Sequence, residues 1–91
     1  MREILLGSGA PEVPARIEEA ARELNLTGKR LTMAKYPGCI HWHYHRPGVR
    51  GTLEITCWPK GDRTWISVHE NRMGDWIEEA IAGFQKKVVT E

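Results

Sequence analysis

From Arg30 to His69 the side chains alternate with a period of two, and Pro37-Gly38, Arg46-Pro47-Gly48 and Pro59-Lys60-Gly61-Asp62 divide the stretch into four runs. Alternation at this period assigns each run to a strand with one buried face, and turns this short join neighbours as sequential hairpins. Residues 30–69 therefore read as a four-stranded antiparallel meander. The alternation also sets a register. Pairing Tyr36 with Cys39 brings Met33 to Trp42 and Leu31 to Tyr44; His43 falls opposite Glu54, and Thr56 opposite Trp65. Leu31, Met33, Trp42, Tyr44, Leu53, Ile55, Cys57, Ile66 and Val68 then share one face, and a slip of one residue would scatter them.

The flanks have the helical period instead. Val13, Ile17, Ala20, Ala21 and Leu24 make one apolar stripe, with prolines 11 and 14 suited to a first turn and Gly28 just past the end, giving a helix over 11–26. Trp76, Ile77, Ala80, Ile81, Phe84 and Val88 make a second stripe in a helix over 72–88, with Asn71 or Asp75 at its N-cap. Residues 1–10 are a lead-in whose apolar positions 3–6 suit a short extra edge strand. Ninety-one residues bury one core, so the chain is a single α+β domain: a two-layer sandwich with both helices on one face of the sheet.

That leaves an outer face carrying Tyr36, Cys39, His41, His43, His45, Thr52, Glu54, Thr56, Trp58, Trp65, Ser67 and His69. It grades from aromatic at one end to titratable at the other. A fully exposed tryptophan forgoes roughly 4–6 kcal/mol of burial at about 25 cal/mol per Å², so the aromatic end asks for a cover. Tyr36, Cys39, Trp58 and Trp65 are expected to form an interaction surface, for a second copy of the chain in a homodimer or for another protein.

The titratable end suggests a second function. His-x-His on a strand sets two imidazoles on one side about 7 Å apart at the backbone, close enough to serve one ion. His43 and His45 with Glu54 and His69 are the expected set, His41 is an alternative partner for His43, and zinc is the cofactor such donors would take. A third function is single-stranded nucleic acid, with rings stacking bases while Arg30, Lys35, Arg46, Arg50, Lys60 and Arg63 hold phosphates. Residues 29–63 do carry seven basic side chains against two acidic ones, but the whole chain has a formal net charge of only +1, which disfavours nucleic acid. The order helix, strands, helix is similar to that of double-stranded RNA-binding domains. Those use lysines at the start of the last helix, where this chain has Asp75, Glu78 and Glu79.

No catalytic residue is assigned. Gly7-Ser8-Gly9 lacks the ending of a phosphate loop, and Cys39 beside His41 has no recognisable oxyanion hole. Apolar runs such as Ile4-Leu5-Leu6 are far shorter than a membrane span of about 20 residues. Two cysteines placed on opposite faces read as free thiols of a cytoplasmic protein. The expected function is thus a non-enzymatic interaction module, with metal or small-ligand binding as the alternative and nucleic acid as the second alternative.

Overall fold

In the computed structural model, which describes residues 1–70 and 73–88, one antiparallel sheet of five strands carries two helices. The elements run β1 (Arg2–Gly7), α1 (Val13–Glu23), β2 (Arg30–Leu31), β3 (Ile40–Tyr44), β4 (Leu53–Trp58), β5 (Arg63–Val68) and α2 (Ile77–Val88). Strand order is β1-β5-β4-β3-β2. The lead-in strand is present and extends the meander at its β5 edge, with Leu5 opposite Trp65. The α+β sandwich is as expected, with five strands in place of four.

The two central hairpins have the register that alternation implies: His43 opposite Glu54, and Thr56 opposite Trp65. Trp42, Tyr44, Leu53, Ile55, Cys57, Ile66 and Val68 accordingly join Ile17, Ala20, Ala21, Ile77, Ala80, Ile81 and Phe84 in one buried cluster between sheet and helices. Such burial of apolar area is the main source of stability in a domain this small.

The first hairpin differs. Arg30 pairs with Trp42 and Leu31 with His41, an odd offset from the expected register. Because the side-chain period is two, this turns Leu31 to the outer face, where it is 43% exposed. The cause lies in a specific anchor. Arg30 grips Glu18 of α1 through two hydrogen bonds, Nε to Oε2 at 2.7 Å and Nη2 to Oε1 at 2.9 Å, while Trp42 Nε1 donates to the same carboxylate at 3.3 Å. Arg30 and Trp42 must therefore lie abreast on the helix side. β2 ends after two residues, and residues 32–39 form a loop in place of the expected strand.

Helix α1 stops earlier than its apolar stripe suggests. Asn25 adopts a left-handed conformation at φ 60°. The Leu26 N–H donates to Ala21 O at 2.8 Å, and the Asn25 N–H to Arg22 O at 3.1 Å. This is a Schellman cap, for which asparagine is an accepted substitute for glycine. Gly28 is required for a different reason. A Cβ there would sit 2.6 Å from His43 O and 2.7 Å from Tyr44 Cδ1, so only glycine lets the chain lie flat against β3. The second helix begins at Ile77; Asn71 and Arg72 lie outside the described residues. No helix of the described residues is long and apolar enough to cross a membrane.

Candidate metal centre

Strand β3 presents His41 and His43 on the outer face because Trp42 and Tyr44, between and beyond them, are locked into the core. Strand β4 supplies Glu54 opposite His43 and Thr56 opposite His41. His69 follows β5, whose Ser67 pairs with Glu54. Three neighbouring strands thus converge on the Glu54 carboxylate.

The contacts are close. His41 Nε2 lies 2.9 Å from His43 Nε2. Glu54 Oε1 lies 3.3 Å from His41 Nε2 and 3.7 Å from His43 Nε2, and its other oxygen lies 3.2 Å from His69 Nε2. On the far side of the His41 ring, Nδ1 is 2.7 Å from the Thr56 hydroxyl. His41 and Thr56 are both buried, whereas His43 and His69 remain partly open to solvent.

Burial, and then the neighbouring His43, hold His41 below the ordinary imidazole pKa, against the opposing pull of Glu54. At neutral pH His41 is therefore an uncharged ring with one lone pair. Thr56 accommodates either tautomer of the ring, because its hydroxyl can donate to Nδ1 or accept from it. When Nδ1–H donates to Thr56, the Nε2 lone pair is turned toward His43 and Glu54.

His41 Nε2, His43 Nε2 and Glu54 Oε1 form a triangle with sides of 2.9, 3.3 and 3.7 Å. Donors around a tetrahedral zinc at about 2.0–2.1 Å are spaced roughly 3.3 Å apart, which is the middle of this range. A point about 2 Å from all three atoms lies just off their plane, leaving a fourth position for a solvent molecule or a further ligand. The His69 contact on Oε2 leaves Oε1 facing the two imidazoles of β3. Thr56 and His69 thus occupy the outer positions that orient ligands in metal sites.

Of the four residues expected as ligands, the structure gathers His43, Glu54 and His69. His45 lies apart: its backbone bridges to Thr27, its ring is exposed, and His41 stands in the place expected for it. Spacing alone treats the two His-x-His pairs as equivalent. What separates them is that His41 and His43 both lie within the β3–β4 ladder, whereas His45 lies beyond its last pair.

At the other end of the face, Tyr36 reaches back from loop 32–39 between the tryptophans. Its ring lies 5.1 Å from both Trp58 and Trp65, tilted against the first and edge-on to the second, arrangements that aromatic rings favour. Arg63 lies over the Trp65 ring at 4.7 Å. Trp65 is only 7% exposed and Cys39 is buried, so of the expected interaction surface Tyr36 and Trp58 alone retain partial exposure. Cys39 and Cys57 are both free and buried, and burial raises the Cys57 thiol above its ordinary pKa.

Comparison with protein-family models, curated proteins and solved structures finds no match for the chain.

Proposed function

We propose that the protein is a metal-binding module for a zinc-class divalent ion, with His41, His43 and Glu54 as ligands and Thr56 and His69 as orienting partners. The triangle of donor atoms carries this reading, because its sides of 2.9, 3.3 and 3.7 Å bracket the roughly 3.3 Å edge of a tetrahedral site. Nitrogen and oxygen donors suit zinc and also bind copper(II), which the Irving–Williams order ranks more tightly. Native mass spectrometry of the metal-free chain, with and without one equivalent of zinc, tests it: one tightly held ion is expected, and failure to take up zinc or copper at micromolar concentration would sink the reading.

Self-association is the second reading, supported by one observation. Leu5 on the edge strand β1 is 66% exposed on the outer face beside its partner Trp65. A second copy docking there would extend the aromatic cluster and cover the unpaired β1 edge. The same spectra decide it, since a metal-free dimer would favour this surface and a zinc-bound monomer the histidine site.

A further inference from the structure

The metal reading leaves one coordination position unfilled by protein, and a cleft of about 510 Å³ lies beside His43, lined also by Thr27, Gly28, Lys29, Leu31 and His45. His43 belongs to both the cleft and the donor triangle. His41 and Glu54 are largely enclosed, with side chains 5% and 13% exposed, whereas the His43 side chain is 39% exposed. A ligand arriving on this flank therefore reaches the ion past His43.

The cleft wall is preformed, because Gly28 lets residues 27–29 lie against β3 and the Thr27–His45 bridge ties them there through two backbone hydrogen bonds of 2.8 and 2.9 Å. Its chemistry has one sign. Among the described residues no carboxylate lines it. Lys29 is exposed and has no ion-pair partner among the described residues, the ion pair of its neighbourhood being made by Arg30 with Glu18. The outward turn of Leu31 adds an apolar wall. A cation, a metal ligand and an aliphatic side chain around one opening select an anion with a short apolar body.

We propose that this cleft takes a small monocarboxylate, which coordinates the bound metal through one oxygen, meets the Lys29 ammonium with the other, and lays its apolar body against Leu31. The inference rests on the metal reading and adds a ligand class to it.

The test uses the full chain loaded with cobalt(II), whose visible bands report changes in its coordination, titrated separately with benzoate, acetate and inorganic phosphate. Benzoate is expected to shift the bands saturably and to bind at least fivefold more tightly than acetate or phosphate. Lys29→Ala should weaken benzoate at least tenfold, and Lys29→Arg should restore most of the affinity. Bands that do not respond to benzoate, a phosphate response equal to that of benzoate, or benzoate affinity unchanged in Lys29→Ala would each overturn the proposal while leaving the metal site standing. Failure to take up cobalt at all would overturn both.

Discussion

The Thr56 hydroxyl lies 2.7 Å from His41 Nδ1, on the side of the ring away from His43 and Glu54. In a site this buried, with Thr56 only 2% exposed, no solvent can replace that contact. The hydroxyl lets His41 present either a proton or a lone pair at Nε2. Thr56→Val keeps the shape and β-branching but removes the oxygen, so zinc affinity should fall about 10- to 100-fold, as is usual when an outer partner is lost. Thr56→Ser should retain most of it. Competition with a chromophoric chelator measures both variants, and equal affinity in Thr56→Val and the unmodified chain would remove Thr56 from the site.

Replacing a ligand should cost more than replacing an outer partner. His43→Ala and Glu54→Gln are each expected to lower zinc affinity beyond the roughly 100-fold upper end for an outer contact, with His43 the cleaner test because it is half-exposed and little packing is lost. His45→Ala should leave zinc binding little changed, since its ring lies outside the donor triangle. Isothermal titration of the three variants distinguishes the His41–His43 pair from the His43–His45 pair; a large loss in His45→Ala would mean that the strand uses the other pair.

Much of this arrangement is legible in the sequence. Alternation fixes the pairings of His43 with Glu54 and of Thr56 with Trp65, because the aliphatic residues of β3, β4 and β5 can share the core face in no other register. Closeness of Trp58 and Trp65 follows from the same register, whereas Tyr36 reaches them from loop 32–39 and not from the expected strand. The first hairpin is not legible, since Pro37-Gly38 suits a tight turn equally well, and the period shows neither the Glu18 carboxylate, distant in sequence, nor the Thr27–His45 bridge that together align Arg30 with Trp42. The choice between His41 and His45 is illegible for a related reason: it depends on where a ladder stops, and the period carries no information about that.

Glu18 also predicts a response to acid. Its hydrogen bond from Arg30 is the largest cause lowering its pKa from the ordinary 4.5, with a further contribution from Trp42. The unfolded carboxyl therefore takes up its proton first as pH falls, so the unfolded state binds more protons and stability rises with pH across this window. The stabilisation is fully present above about 4.5 and lost as pH falls through the lower folded value. Urea unfolding of the metal-free protein between pH 6 and 3 should show this decline, with a shallower one in Glu18→Gln. Parallel profiles would mean that the Arg30–Glu18 pair contributes no pH-dependent stability.

Tyr36 decides whether the aromatic end is closed by the chain itself. Two ring contacts at 5.1 Å depend on this one side chain, which shares the covering of Trp65 with Arg63 and which loop 32–39 delivers through two consecutive turns, Tyr36 N–H to Met33 O and Cys39 N–H to Tyr36 O. Aromatic pairs contribute about 0.5–1.5 kcal/mol each beyond burial, so Tyr36→Ala should destabilise the fold by about 2–3 kcal/mol, less than a fully buried aromatic would. Tyr36→Phe should be nearly neutral, because the ring makes the contacts. Tryptophan emission in Tyr36→Ala should move to the red and become more open to acrylamide quenching as Trp58 and Trp65 meet water. If stability, emission and quenching are all unchanged, the tryptophans must already be covered by something other than Tyr36. A second copy of the chain would then be the first candidate, and a concentration-dependent unfolding midpoint would identify it.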